Sequence, residues 1–169
     1  NFPGGFNLNQ PGLTVRMAPG AVIQNDSPCF IVTADNITLE GGICVPTGGS
    51  NGIDVADGVD YLIVQGMEID GATSGGTANG IAFTGDHKNV QILDNYFHDL
   101  GGVAIDFGTG AYTEYFEVQG NYLKGEIMAR DGSTLDVTYN NWDLPAGPGT
   151  LANLTTVPFT YAGVSVAPT

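Results

Sequence analysis

Apolar and polar residues along this chain alternate in short bursts that return in a fixed order. With Val90 as position zero, Val90 and Ile92 alternate with polar neighbours, Asn95 follows at plus five and Phe97 at plus seven. Phe116, Val118, Asn121 and Leu123 repeat that order, and so do Leu135, Val137, Asn140 and Trp142. Leu62, Val64 and Ile69 fit with Met67 in the Asn slot, and Ile37, Leu39 and Cys44 fit with Gly42 there. A period of two over so few residues predicts short half-buried strands and no helix. Each copy is preceded by a further apolar stretch, at 30–32, 53–55, 81–83, 105–107 and 127–129.

The anchors recur 25, 28, 26 and 19 residues apart. A repeat of that length built from three short strands is one coil of a β-solenoid, because no single strand buries enough apolar surface alone and stacked coils bury it together. The expected fold is all-β, with about six or seven short coils over residues 13–149, an irregular lead-in at 1–12 and an extended tail or cap at 150–169. Leu13, Val15 and Met17 open the coils and 21–24 continue them. Asn95, Asn121 and Asn140 fall at turns, where Asn tolerates left-handed backbone and its amide bonds the adjacent backbone and the next Asn in a ladder. Leucine-rich repeats share the period, but their Leu-x-x-Leu-x-Leu pattern is absent.

These repeats resemble the right-handed parallel β-helix repeats of the pectate-lyase-like superfamily. The segment Gly12-Leu13-Thr14-Val15-Arg16-Met17-Ala18-Pro19-Gly20 looks like an opening coil of such domains. Asn140-Asn141-Trp142-Asp143 with Gly147-Pro148-Gly149 looks like a closing Asn-Trp-Trp-Gly and Gly-Pro segment, with Asp143 and Leu144 in place of the second Trp and its Gly. The resemblance covers roughly residues 12 to 149. It implies a single-stranded right-handed parallel β-helix but little about activity, since the superfamily spans lyases, hydrolases, epimerases, adhesins and structural proteins.

Composition narrows the partners. The chain has 18 acidic and 4 basic residues, a formal net charge of −14. Such a surface repels nucleic acid, whose binding needs clustered Lys and Arg, and makes calcium a possible ligand, although no cofactor is required. The same acidity also serves solubility alone. No apolar run reaches the roughly 18 residues of a membrane helix. Few lysines, many Thr, Asn and Gly residues and two cysteines fit a secreted or cell-surface protein, and Asn1, with no initiator Met or signal peptide before it, reads as a processed or engineered start. Cys29 and Cys44 form either a disulfide or a reduced core pair. Asn36-Ile37-Thr38 and Asn153-Leu154-Thr155 match the glycosylation acceptor pattern.

Register places the outward side chains. Glu68, Tyr96, Tyr122 and Asn141 share position plus six; Asp70, His98, Lys124 and Asp143 share plus eight, on the same face. Tyr96 and Tyr122, flanked by Glu68 and Asn141, make a candidate platform for a sugar ring. In lyases and epimerases of the superfamily, Lys, Arg or His removes a proton alpha to a uronate carboxyl. The resemblance would therefore make Lys124 the base, His98 its partner and Asp70 with Asp99 a metal site. Glu117 and Asp136 are further metal candidates, since at plus one they stack as like charges that a cation would bridge. The same residues also make an ordinary exposed ladder of charges. Inverting hydrolases need paired carboxylates, and the polygalacturonase aspartate clusters are missing. His87-Lys88 reads as a solvated turn tip, and Asp57, Asp60, Asp86 and Asp131 as turn residues that bond their own backbone.

Two functions follow as expectations. The first is a non-enzymatic, exported structural or surface protein whose partners are copies of itself, stacked head to tail into a filament or layer. The second is a carbohydrate-active or carbohydrate-binding β-helix, lyase- or epimerase-like, that takes a polysaccharide on the Tyr96/Tyr122 and Asp70/His98/Lys124 face.

Overall fold

The computed structural model describes residues 4–73, 78–107, 113–123, 127–128, 135–138, 141–142, 159–161 and 164–166. Three parallel sheets of six strands each wind around one apolar interior. The first sheet stacks Phe6–Leu8, Phe30–Val32, Ile53–Val55, Ile81–Phe83, Ile105–Asp106 and Ile127–Met128. The second stacks Thr14–Arg16, Thr38–Glu40, Ile63–Gln65, His87–Leu93, Thr113–Gln119 and Leu135–Thr138. Val22–Asn25, Ile43–Pro46, Glu68–Asp70, Tyr96–His98, Tyr122–Leu123 and Asn141–Trp142 form the third. Among the described residues there is no helix, and so none long and apolar enough to cross a membrane. The chain is an all-β parallel β-solenoid.

The anchors of the repeat fall into register: Leu39 pairs with Val64, Val64 with Ile92, Ile92 with Val118 and Val118 with Val137. In the third sheet Phe97 pairs with Ile69 and Leu123, and Leu123 with Trp142. The inward residues Ile53, Val64, Ile69, Ile81, Val90, Ile92, Phe97 and Leu123 are fully buried. Phe83 and Phe107 stack at 5.2 Å, and Phe116 meets Phe107 edge-on at 4.7 Å. Period two forces this, since alternate side chains of a strand face opposite sides and only one side of each sheet is dry.

Several expectations change. About four turns are described as coils, through Phe107, rather than six or seven; beyond them the structure describes mainly strand segments. The winding begins earlier than expected: Phe6–Leu8, inside the segment read as an irregular lead-in, pairs in parallel with Phe30–Val32. Asn140 lies outside the described residues, and in the tail Phe159–Tyr161 and Val164–Val166 form an antiparallel hairpin whose first strand lies against Leu135–Thr138.

The turns are held by side chains of adjacent coils. Asn95 Oδ1 accepts the Met67 N–H at 2.9 Å, and Asn121 Oδ1 accepts the Asn95 N–H at 2.9 Å and an Asn95 Nδ2–H at 3.0 Å. Both residues are buried, and neither has positive φ. The left-handed position is plus four, occupied by Gly66, Asp94 and Gly120. Asn at plus five thus serves through its amide, which satisfies backbone groups that the turn would otherwise bury unpaired.

The turn aspartates also reach across coils rather than to their own backbone. Asp35 Oδ1 accepts from the Asp60 N–H at 3.0 Å, Asp60 Oδ1 from Lys88 at 2.7 Å and Asp57 Oδ1 from Asp86 at 2.9 Å. Stacking brings the next coil's N–H groups within reach, and a carboxylate makes a charge-assisted bond there. Asn51 and Asn79 form a further ladder before the first sheet, accepting from the N–H groups of Asn79 and Val103. Asp131 lies outside the described residues.

His87 is a correction of another kind. It is a fully buried residue at the start of a strand, not a solvated turn tip. Its ring nitrogens lie 3.0 Å from the Val59 carbonyl and 3.1 Å from the Thr84 carbonyl, with Phe83 edge-on at 5.1 Å. An imidazole fits there because a ring N–H can bond a carbonyl while the ring meets the Phe83 side chain edge-on. Lys88 beside it is exposed.

Cys29 and Cys44 form a disulfide inside the solenoid, with Cα atoms 6.0 Å apart. It joins the residue just before Phe30–Val32 of the first sheet to the third-sheet strand Ile43–Pro46, and both cysteines are fully buried.

Candidate functional site

Among the described residues, the outer face of the third sheet carries a close group of His, Cys, Asp or Glu side chains: Glu68, Asp70 and His98. Register sets Glu68 beside Tyr96 and Asp70 beside His98, and Tyr96 beside Tyr122. Because Ile69 and Phe97 point inward, their neighbours in sequence must point out.

His98 is the centre. Its Nε2 lies 3.1 Å from Glu68 Oε1, and its Nδ1 lies 2.9 Å from Asp99 Oδ2 and 3.8 Å from Asp70 Oδ1. Tyr96 stacks on the imidazole at 4.3 Å and 23°, and meets Tyr122 edge-on at 5.0 Å. Asp70 is itself oriented, accepting the Ala72 N–H at 2.9 Å. The His98 side chain is only 12% exposed. Burial is the largest single influence on its pKa and lowers it, but hydrogen bonds to Asp99 and Glu68, with the charges of Asp70 and Asp99, outweigh burial and raise it above the ordinary imidazole value.

Ligand atoms of Glu68, Asp70 and His98 all lie within 4.8 Å of one another, close enough to converge on one ion. An imidazole with carboxylates suits a transition-metal ion such as zinc, whereas calcium takes oxygen donors. Protonation satisfies the same geometry without any metal: an imidazolium donates to Glu68 and Asp99 at once.

The candidates chosen from register separate into groups. Glu68, Asp70, Tyr96, His98, Asp99 and Tyr122 share this face. Glu117 does not join them: it lies in the second sheet, where Gln91 Nε2 donates to its Oε2 at 2.6 Å. Glu117 does pair in register with Asp136, and Tyr122 with Asn141. Lys124 and Asp143 lie outside the described residues. Asp54 and Asp106 flank Ala82 in the first sheet, bonded by Asn51 at 2.8 Å and Asn79 at 3.1 Å. Position along the repeat puts Glu68 in the column of the tyrosines, but its carboxylate turns to His98 in the neighbouring column. Their adjacent positions on one face were the available signal.

A trough of about 440 Å³ runs beside this cluster at the corner between the second and third sheets, lined by Met17, Gly42, Met67, Glu68, Asp94 and Tyr96 among others. Glycines at 20, 41, 42 and 66 keep that corner low.

No family model, curated protein or solved structure matches the chain.

Proposed function

We propose that this protein is an exported structural β-solenoid that assembles with copies of itself, stacking head to tail into a filament or surface layer. The observation that carries this reading is the first turn. Among the described residues Thr14–Arg16 and Val22–Asn25 are terminal strands of their sheets, and each pairs there on one side. Val22 is 56% exposed there, and Leu13, Val15, Met17 and Ile23 are only partly buried against the core. An open parallel edge with apolar side chains beside it invites another strand. The far end differs, with a hairpin beside Leu135–Thr138. A contact between unlike ends propagates, whereas one between two first turns closes as a dimer. The internal disulfide fits an oxidising compartment outside the cytosol. Right-handed winding, as in the pectate-lyase-like superfamily, belongs to the same reading and rests on that resemblance.

Electron microscopy and sedimentation of the purified protein test the proposal. Filaments or layers that Val22→Glu disperses, with unchanged circular dichroism, support it. Monodisperse monomers at high concentration, in salt and in calcium, defeat it, and discrete dimers defeat the head-to-tail arrangement.

A second reading is carbohydrate binding on the third sheet, favoured by the 41% exposed Tyr96 beside Tyr122 and the adjoining trough. It is better read as binding than as lyase or epimerase chemistry, because both His98 nitrogens already face carboxylates. Tyr96 and Tyr122 ring resonances that do not move when oligosaccharide is added sink it.

A further inference from the structure

One backbone slot recurs immediately before the first anchor of successive coils, and in four of them it is left-handed: Asn36 (φ 58°), Tyr61 (58°), Asn89 (55°) and Tyr115 (58°). Asn suits this conformation; a bulky aromatic residue there is an outlier. The chain itself shows that Asn fills the slot, yet tyrosine stands in alternate coils. Packing does not explain it, since Tyr61 is 54% and Tyr115 is 64% exposed. Backbone strain retained at exposed residues points to function rather than to stability.

The two tyrosines bound a trough of about 490 Å³ on the outer face of the second sheet, with Ile63, Asn89, Gln91 and Glu117 also lining it. That is the size of small-molecule sites. Coils stack at about 4.8 Å, so slots two coils apart lie roughly 9.6 Å apart, with the smaller Asn89 between them. A flat ring in contact on both sides needs about 7–8 Å, so that separation admits one thicker, puckered ring. Gln91 and Glu117 are bonded to each other at 2.6 Å, which fixes a carboxylate and an amide on the floor. Among the described residues no lining side chain is cationic.

We propose that this trough binds a neutral pyranose ring of an oligosaccharide, held between Tyr61 and Tyr115 by its C–H faces, with hydroxyl groups bonded by Glu117, Gln91 and Asn89. An anionic sugar is disfavoured by the Glu117 carboxylate, which no cation among the described lining residues offsets. This site is on a different sheet from Tyr96 and does not depend on assembly.

Titration calorimetry with cellohexaose, mannohexaose, hexagalacturonate and adenosine, on the wild type and on Tyr61→Asn, Tyr115→Asn and Tyr96→Ala, tests it. The expected result is binding of at least one neutral hexasaccharide, weakened about tenfold or more in each Asn variant and unchanged in Tyr96→Ala. The Asn variants are expected to melt at the same or a higher temperature, because they relieve the strain. The proposal is overturned if neither neutral hexasaccharide binds at millimolar concentration, if hexagalacturonate or adenosine binds more tightly, if both Asn variants bind as the wild type does, or if Tyr96→Ala alone abolishes binding. Melting temperatures that fall in both Asn variants also overturn it, since the tyrosines would then be structural.

Discussion

His98 lies flat against Tyr96, their ring centroids 4.3 Å apart, while Asp99 holds its Nδ1 at 2.9 Å. The stacking leaves the imidazole edge, where both nitrogens sit, pointed at carboxylates. A group whose folded pKa is raised contributes stability that is fully present below its unfolded value and is lost as pH rises through the folded value. The contribution of His98 is therefore present below about pH 6.5, the unfolded imidazole value, and declines as the pH rises past its raised folded value. Urea midpoints of the wild type minus those of His98→Asn should fall across this window. A difference that rises with pH, or stays flat, contradicts the assignment.

Metal binding at the same cluster has its own test. If Glu68, Asp70 and His98 take a transition-metal ion, zinc raises the melting temperature of the wild type and not of Glu68→Gln, and calcium has no comparable effect. Equal responses of the two proteins to zinc place the ion elsewhere.

The Asn ladder predicts a large loss from a small change. Asn121→Ala removes the acceptor of the buried Asn95 N–H and the donor to the Ile92 carbonyl at 2.8 Å. Groups left buried without partners cost about 1–3 kcal/mol each, so a loss of roughly 2–4 kcal/mol is expected in urea unfolding. Asp94→Asn, at an exposed left-handed turn position, should be close to neutral.

Gly80 tests how tightly the coils stack. A Cβ there would collide with the Ala104 carbonyl and come within 2.6 Å of the Phe97 ring. Gly80→Ala should destabilise by about 1–3 kcal/mol or more, the range of overpacked cores. Wild-type stability in that variant would show that the coils part readily.

The disulfide closes a loop with a sequence separation of 15. Loop entropy for that length amounts to about 3 kcal/mol. Replacing both Cys29 and Cys44 by Ser should lower the unfolding free energy by that order, with the β-sheet circular dichroism signal retained. Equal stability with and without reductant would contradict the bond.

The repeat was readable because its causes are local. Val90, Ile92 and Phe97 each follow from period two, and their pairing with Phe116, Val118 and Leu123 follows from copying the pattern coil by coil. Outward columns followed too: Tyr96 beside Tyr122 and Asp70 beside His98 needed only parity. Phe6–Leu8 escaped because its partner strand lies 24 residues on and no anchor pattern marks it. His87 escaped because a polar residue before a Lys reads as surface, and only the stacked coil supplies the Val59 carbonyl that buries it usefully.

The sequence by itself determined the all-β solenoid, its three-strand coil and which residues line the interior, because alternation and repetition are properties of neighbours along the chain. Tertiary structure alone decided how side chains use the space between coils. It turned Glu68 and Asp99 onto His98, sent the turn aspartates to the next coil's N–H groups and set Tyr61 and Tyr115 on either side of one trough. Those relationships join residues 25 to 54 positions apart, or depend on rotamer and turn geometry, and no local pattern encodes them.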